Sequence, residues 1–426
     1  MCFAALRFLW NGWVHEFYIQ PVYHFTFYGF DWIQPWSGWG MYAHFVGLAV
    51  LALFIAFGLW YRWSVFLFFL GFTYVELLDK SYYLNHYYLI SLISLLLWFM
   101  PLHRAGSLDA WRKPLLRSTA FPDWVLWTLR LQIGLVYFFA GVAKIKTDWV
   151  FHAQPLKLWL AARSDFPVFG FLLDHVWVAY AFSWTGLVFD LTVPFWLLWR
   201  RTRLFAYIAI VVFHAITGKL FFLGMFPYIM VGLTTLFFSP SWPRTWLPTK
   251  WLPPQPGQDR SDTTNTSPQT PRWKTPAVFA LTMFFAVQMA LPFRHHLYGG
   301  NVCWHEQGFR FSWKVMLVEK TGYIEFNLRD PKTKKTWSVA PTQFLTKLQA
   351  TMMRTQPDMI LQFAHWLSRF YQRKGHPPPE VRVESYVSLN GRRRKLFIDP
   401  KVDLAKQPRG FSNKTWILPP SKETPP

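Results

Sequence analysis

The sequence predicts a mainly α-helical membrane protein, a multi-pass transmembrane helical bundle of about eight spans followed by a small α+β extracytoplasmic domain. Three observations predict this class. The 426 residues are 52% hydrophobic, 20% aromatic and only 15% charged, which is more apolar than an average soluble domain. Long apolar windows recur through residue 293. After that point the composition changes to charged, amphipathic and strand-like segments.

The apolar windows define a predicted transmembrane domain at residues 1–293. They lie at 41–60, 64–78, 87–101, 123–146, 176–199, 204–222, 226–238 and 276–293. Some are shorter than the roughly 20 residues of a straight span, which predicts tilted, broken or protein-sheltered helices. The stretch 239–275 is rich in Pro, Ser and Thr without any period. We therefore expect a Pro-rich cytoplasmic loop there.

The basic residues predict the orientation. If the windows alternate across the membrane, most basic loop residues fall on one side, in the loops around Arg62, 102–121, 200–203 and 239–275. The positive-inside rule makes that side cytoplasmic. Segments 79–86 and 147–175 and everything after residue 294 then face the outside or a lumen. This predicts a bacterial inner-membrane protein, or an endoplasmic reticulum protein in a eukaryote, with any site near those segments at the outer face.

The charge balance bears on partners. The net charge is +22, and about half of the basic residues follow Arg294 while others flank apolar runs, which favours contact with anionic membrane lipid over nucleic acid. The cysteines, Cys2 and Cys303, cannot form a disulfide framework and match no metal-ligand spacing. We therefore expect no metal site.

The segment 294–426 reads as the extracytoplasmic α+β domain. Strand-like runs at 310–320, 321–330 and 335–341 are separated by predicted turns at Thr321–Gly322 and Asp330–Pro331. Helical periodicity covers 342–354 and 357–373. The stretch 381–400 predicts a hairpin with Asn390–Gly391 at its tip.

The window 123–146 carries a polar stripe. Arg130, Tyr137 and Lys144 are seven residues apart, so they share one helix face, which should point into the bundle or a wet cavity. Gly141 beside them allows a neighbouring helix to approach closely. Lys144 lies at the predicted outer end, where basic residues are scarce. A lysine at a helix end is commonly an anchor that reaches the lipid headgroups, and this alternative stays open.

Other polar groups are predicted within or beside the membrane. Asn85 and His86, in "ELLDKSYYLNHYY", lie at the same predicted level as Lys144, and an amine, an imidazole and an amide at one depth indicate a site. The alternative for His86 is a structural histidine with satisfied hydrogen bonds. Asp190 and His214 are expected to form interhelical hydrogen bonds.

Several separate motifs resemble one known family. The strings "FLGFTYVELLDKSYYLNHYYLISLISLLLWFMPLHRAGSLDA", "LRLQIGLVYFFAGVAKIKTDW", "FFLGMFPYIMVGLTTLFFSPSWPR", "FRFSWKVM" and "VSLNGRRRKLFIDPKVDL" resemble vitamin K-dependent gamma-glutamyl carboxylases and their bacterial relatives, the HTTM-domain membrane proteins. The motifs keep their order, and the similarity runs from about residue 7 to residue 420.

The resemblance implies an activity and roles for residues. Members of the family use vitamin K hydroquinone, O2 and CO2; the reduced vitamin is converted to its 2,3-epoxide, and a peptidyl glutamate is carboxylated. Lys144 matches the lysine of the family's "AGV-x-K" motif, understood as the base that deprotonates the hydroquinone. His86 matches the histidine of "NH-x-Y", thought to hold the developing quinone oxyanion, with Asn85 beside it.

The remaining candidates are cofactor-binding residues. Arg130 and Tyr137 share the stripe of Lys144. The positive charge of Arg130, if it lies close to Lys144, would favour the neutral, basic form of the lysine. Trp313 and Met316, in "FSWKVM", are expected to wall the quinone pocket from the outer domain. Core packing is the alternative for this pair.

The leading hypothesis is an enzyme, an integral-membrane vitamin K-dependent gamma-glutamyl carboxylase-like lyase and epoxidase. Its partner would be a glutamate-containing protein or peptide. Two alternatives stay open: a quinone epoxidase without glutamate carboxylation, and a non-enzymatic transporter or scaffold. Inverted repeats of broken helices would favour a transporter, and the sequence shows none.

Overall fold

The computed structural model describes residues 1–118, 122–240, 242, 274–421 and 423–425. Helices dominate the first part. In chain order they are α1 (Cys2–Trp10), α2 (Trp39–Phe57), α3 (Tyr61–Leu78), α4 (Asn85–Phe99), α5 (Leu108–Arg112), α6 (Asp123–Lys144), α7 (Thr147–His152), α8 (Leu156–Ala161), α9 (Gly170–Leu173), α10 (Val176–Leu198), α11 (Arg203–Phe221), α12 (Phe226–Thr234) and α13 (Lys274–Ala290). The predicted loop 239–275 lies almost entirely outside the described residues.

The predicted number of spans needs correction. All eight apolar windows overlap helices, but within the described ranges five helical segments are long and apolar enough to cross a membrane: Trp39–Phe57, Asp123–Lys144, Val176–Leu198, Arg203–Phe221 and Pro276–Leu297. Asn85–Phe99 and Phe226–Phe237 are shorter apolar helices, below the roughly 20 residues that a span needs. Eight crossings are therefore not confirmed.

Helix α6 is the centre of the bundle. In its most apolar window 61% of the residues are buried, against 11% for Pro276–Leu297 at the periphery. Its closest partner is α10, and Gly141 is the reason: a Cβ on Gly141 would lie 2.7 Å from the backbone nitrogen of Leu191. The missing side chain lets the two backbones approach. This contact places Asp190, the residue before Leu191, beside the C-terminal end of α6.

The C-terminal part forms the predicted small α+β domain. Four strands, β1 (Lys320–Arg329), β2 (Thr336–Val339), β3 (Glu380–Leu389) and β4 (Lys395–Leu396), form an antiparallel sheet in the order β2-β1-β3-β4. The helices are α14 (Val302–His305), α15 (Lys347–Met353) and α16 (Pro357–Arg373). The turn after Asp330 and the Asn390–Gly391 hairpin tip are confirmed; both tip residues have positive φ, 52° and 79°, as such tips require.

The predicted strand 310–320 and the turn at Thr321–Gly322 are wrong. Strand β1 runs straight through both turn residues and pairs with β3 from Lys320 opposite Leu389 onward. The preceding segment is irregular, with positive φ at Phe311, Trp313 and Met316. Its apolar side chains pack against membrane helices instead of joining the sheet; the Trp313 ring lies 5.1 Å from that of Tyr88.

The C-terminal domain docks on the loops that were predicted to face outside. Lys80 Nζ lies 2.7 Å from an Asp358 carboxylate oxygen, and Arg392 Nη2 lies 2.5 Å from Asp148 Oδ1. Segments 79–86 and 147–175 and the C-terminal domain therefore share one face of the bundle. The predicted boundary near residue 293 falls in the 3₁₀ segment Leu291–Leu297 that continues α13.

Candidate functional site

Lys144, the last residue of α6, is buried with a carboxylate. Its Nζ lies 2.6 Å from Asp190 Oδ2, and both side chains are 7% exposed. The amine also donates to the Ala140 carbonyl at 3.2 Å. Because Gly141 lets α10 approach α6, Asp190 reaches the amine from the neighbouring helix. A buried lysine of this kind points into the bundle, whereas an anchoring lysine extends to the lipid headgroups.

Trp149 covers the same amine. Lys144 Nζ lies 5.3 Å from the centre of the Trp149 ring, within the range of a cation–π contact. The indole is held in place by its own N–H, which donates to the Ser183 carbonyl at 2.8 Å. The Lys144 amine is therefore positioned by a carboxylate, a carbonyl and an aromatic face.

A cavity adjoins this amine. Its walls come mainly from α6, α10, α11 and α12, with further residues from α7, α8 and the segment 315–316. They are mostly apolar, with polar groups confined to a few side chains, among them Lys144, Asp190, Tyr137, His214 and Thr217. Such a cavity suits a flat apolar molecule with few polar atoms.

Tyr137 and His214 form the second polar pair of this cavity. The Tyr137 hydroxyl lies 2.9 Å from His214 Nε2, and both side chains are buried. The bond joins α6 to α11. Tyr137 is thus on the same stripe and in the same cavity as Lys144, as the spacing predicts, and its phenol is oriented by a histidine from another helix.

His86 lies in a different cavity. This second cavity is lined mainly by residues of α1, α2, α3 and α4, including Arg7 and Glu76, with Ile229 from α12. The Glu76 carboxylate accepts a hydrogen bond from Ser91 Oγ at 2.8 Å. The structure therefore does not place His86 and Lys144 in one cavity.

Helix α12 separates the two cavities. Phe226 and Met230 line the Lys144 cavity, while Ile229 lines the His86 cavity. The Phe226 ring lies 5.9 Å from the His86 ring and 5.6 Å from the His214 ring. One aromatic side chain thus lies between the two histidines.

Asn85 contacts the outer domain instead of either cavity. Its side-chain amide donates to the Lys314 carbonyl at 3.1 Å and accepts from the Tyr83 hydroxyl at 3.0 Å. Met316 lines the Lys144 cavity, and its role beside a quinone stays a prediction. Trp313 is 1% exposed and packs in the core of the membrane helices, so the alternative of core packing describes it.

Arg130 is not near Lys144. The 14 residues between them correspond to about 21 Å along a helix. The Arg130 guanidinium donates to the carbonyls of Leu236, Phe237 and Phe238 at 2.9 to 3.1 Å. It therefore holds the end of another helical segment and has no direct influence on the charge of Lys144.

The structure adds residues that the sequence interpretation did not assign to the site. Asp190 and His214 were expected only to form interhelical hydrogen bonds; they do, but with Lys144 and Tyr137. Asp190 is the one acidic residue of α10, and a buried lysine needs a counter-charge, so this signal was present. Trp149 and Phe226 carry no comparable signal, because the chain is rich in aromatic residues throughout.

Comparison with protein families gives two matches. Residues 1–242 match the family model described as "HTTM domain", and residues 273–423 match the model described as "Vitamin K-dependent gamma-carboxylase, lumenal domain". The first match contains α1 to α12 and most residues that line the Lys144 cavity, and the second contains Met316 of that cavity and the four-stranded sheet. No solved structure matches the chain.

Proposed function

This chain belongs to the vitamin K-dependent gamma-glutamyl carboxylase family, and from that premise we propose that it is a membrane enzyme that epoxidises vitamin K hydroquinone and couples this reaction to γ-carboxylation of protein glutamate. O2 and CO2 are the co-substrates in this proposal. The buried Lys144–Asp190 pair in an apolar cavity carries the proposal, because it is a candidate proton acceptor in a site that also suits an apolar ring.

The residues of the Lys144 cavity fit reduced vitamin K. The naphthoquinol ring and isoprenoid tail are apolar, as most of the lining is, and the two ring hydroxyls need polar partners. Lys144 with Asp190, and Tyr137 with His214, provide two such partners on the walls of the same cavity. When bound, reduced vitamin K supplies, with O2, the basicity that removes a γ-proton from glutamate, and it leaves as the 2,3-epoxide.

Lys144 and Asp190 act as one proton acceptor in this proposal. Their 2.6 Å hydrogen bond can hold its proton on either partner, giving an ammonium with a carboxylate or an amine with a carboxylic acid. In a cavity without water, the ammonium and the carboxylate both lose much of their solvation free energy. In the neutral form the Asp190 carboxylic acid donates to the Lys144 nitrogen, and when this hydrogen bond turns away the nitrogen lone pair can take a proton from a ring hydroxyl while Asp190 keeps its own.

Tyr137 and the surrounding aromatic rings have supporting roles. The Tyr137 hydroxyl, oriented by His214, can donate to an oxygen on which negative charge develops, and a fixed donor in a dry site is effective. The apolar lining excludes water, which would otherwise quench a strong base. Met316, from the segment that leads into the sheet of the C-terminal domain, also lines the cavity.

The proposal is tested with purified protein in detergent, supplied with vitamin K hydroquinone, O2, labelled bicarbonate and a short glutamate-containing peptide. Both the epoxide and the label fixed into peptide are counted. Formation of both products supports the full proposal. Epoxide without fixed label would restrict the activity to quinone epoxidation.

Lys144→Ala is the control for the same assay. Folding of the variant is checked by size-exclusion chromatography and circular dichroism. Neither product from folded wild-type protein, or equal products from the wild type and the variant, would overturn the assignment.

A further inference from the structure

A third cavity opens at the outer face, between the membrane domain and the C-terminal domain. The segment 146–149 lines one side, and residues of the C-terminal part line the other, including His295, His296 and Cys303. Unlike the Lys144 cavity, it is bordered by many polar side chains and is open to the outside.

Among the described residues, a lysine in the wall of this cavity has one weak hydrogen-bond partner. Lys146 Nζ donates to Cys303 Sγ at 3.2 Å, and a thiol is a poor acceptor. An ammonium group has three donors. Across the described part of the chain, Lys146 makes no ion pair with a carboxylate, so most of its hydrogen-bonding capacity is available to a ligand.

A second lysine lies just behind the wall. Lys314 is 4% exposed, and its Nζ contacts the Pro292 carbonyl, Ser312 Oγ and His295 Nδ1 at 3.1 to 3.3 Å. Burial first, and then the charge of Lys146, lower the pKa of Lys314 to about 8. Lys314 thus has no carboxylate partner in the described ranges either. It adds positive charge beside the cavity, but its three contacts leave no N–H for a ligand.

The acidic residue in the wall is already neutralised. Asp148 Oδ1 lies 2.5 Å from Arg392 Nη2, and its Oδ2 accepts from Arg392 Nη1 at 2.7 Å and Asn390 Nδ2 at 2.9 Å. This bidentate pair uses the carboxylate fully. The charge left over in the cavity is therefore positive, and an anion is the complementary ligand.

The third cavity adjoins the Lys144 cavity. Trp149 is the residue that lines both, as far as the described residues show. An anion held beside Lys146 would therefore sit one side chain away from the proposed quinone site. It would also be reached from the outer face, where a protein substrate can dock.

We propose that Lys146, supported by the charge of Lys314, binds the side-chain carboxylate of the glutamate substrate in this outer cavity. The identity of the anion rests on the proposed function; the anion site itself rests on the two lysines without carboxylate partners. Removal of a γ-proton adds negative charge next to the carboxylate, so two fixed cations would stabilise the glutamate more strongly as the reaction proceeds.

Equilibrium binding tests the proposal without turnover. The probe is a fluorescently labelled pentapeptide with blocked ends, neutral flanking residues and one central glutamate, compared with the same peptide carrying glutamine. Anisotropy is measured with the full chain in detergent, without vitamin K. We expect the wild type to prefer the glutamate peptide by at least about tenfold, which corresponds to roughly 1.4 kcal/mol, and added NaCl to reduce that preference.

Variants locate the site. Lys146→Gln should remove the preference, and Lys146→Arg should keep it because the charge remains. Lys332→Gln is the matched control, since it makes the same change at an exposed position in the β1–β2 turn and should behave like the wild type. Equal binding of the two peptides by the wild type, or a Lys146→Gln variant that keeps the preference, would overturn the proposal.

Bicarbonate is the other carboxylate-like anion in the reaction and is tested as a competitor, against chloride at equal ionic strength. If bicarbonate binds without any preference for the glutamate peptide, the glutamate assignment fails. The proposed function fails separately, when no epoxide is formed from the hydroquinone. The wild-type comparison needs no variant, so it remains decisive even where a substitution disturbs folding.

Discussion

The cavities on the two sides of α12 differ in how their buried charges are paired. In the Lys144 cavity the amine and the Asp190 carboxylate lie 2.6 Å apart. In the His86 cavity, Arg7 Nε and Glu76 Oε1 are buried without a hydrogen-bond partner among the described residues. The pairing of the buried charges therefore distinguishes the two cavities.

The difference bears on what each cavity can do. A paired acid and base in a dry cavity is arranged to exchange a proton with a bound molecule, because no desolvation is needed at the moment of reaction. Buried polar atoms without partners among the described residues, which in the Lys144 cavity include His214 Nδ1, indicate a place where water or a polar group of a ligand completes the hydrogen bonding. The pairing of Lys144 with Asp190 therefore supports the proposal of proton transfer on that side, and the role of the His86 side is a matter for experiment.

Lys144→Ala should have the largest effect. Removal of the amine leaves no base on the proposed quinone site, and we expect epoxide formation to fall on the order of 10³-fold or more. The measurement is epoxide produced per folded protein, separated by chromatography. A variant with wild-type activity would place the base elsewhere and remove the distinction between the two cavities.

Asp190→Asn should lower epoxide formation by roughly 10²-fold. The amide still accepts a hydrogen bond from Lys144, but it cannot hold the proton that leaves the amine free to act. Turnover and thermal stability are measured together, because the change also removes a buried charge. An increase in turnover would show that Asp190 restrains the base instead of assisting it.

His86→Ala tests whether the second cavity takes part in catalysis. We expect epoxide formation to fall on the order of 10²-fold if a donor toward developing negative charge is lost. His103→Ala is a control histidine change, because His86 lies in the first turn of α4 and His103 follows the other end of that helix. Turnover of His86→Ala within twofold of the wild type would return His86 to a structural role.

Arg130→Met should affect stability and not chemistry. The guanidinium donates to three carbonyls at the end of another helix, so its loss should cost about 1–3 kcal/mol of unfolding free energy, reduced by partial exposure. The measurement is the midpoint of thermal unfolding in detergent. A loss of turnover at unchanged stability would contradict the separation of Arg130 from the Lys144 cavity.

Asp358→Asn should have the smallest effect, at the contact between the two domains. Burial alone would raise the pKa of Asp358, but the Arg310 and Lys80 charges and their hydrogen bonds hold it well below its usual range. The stabilisation from the ionised Asp358 is therefore complete at pH values above about 3.9, the pKa of an aspartate in the unfolded chain. It is lost only as the pH falls further. The wild type should lose stability below about pH 4 more steeply than the variant. Identical acid profiles would exclude this contribution.

The local sequence was sufficient for much of the fold. The apolar windows predict the positions of the membrane helices because each helix must cover its own backbone polar groups in an apolar environment. The hairpin tip at Asn390–Gly391 is predicted because few residues tolerate positive φ. The false strand at 310–320 arose because an alternating apolar segment can satisfy its side chains against membrane helices as well as within a sheet.

The sequence by itself determined the membrane class, the family motifs, and the placement of Lys144 and Tyr137 on one face of α6, because helical periodicity depends only on spacing along the chain. Tertiary structure alone decided that Asp190 meets Lys144, that α12 separates His86 from that pair, and that Lys314 lies behind the wall of the outer cavity that Lys146 lines. These contacts join residues far apart in the chain, and their geometry follows from how helices pack, as at Gly141, which no local pattern records.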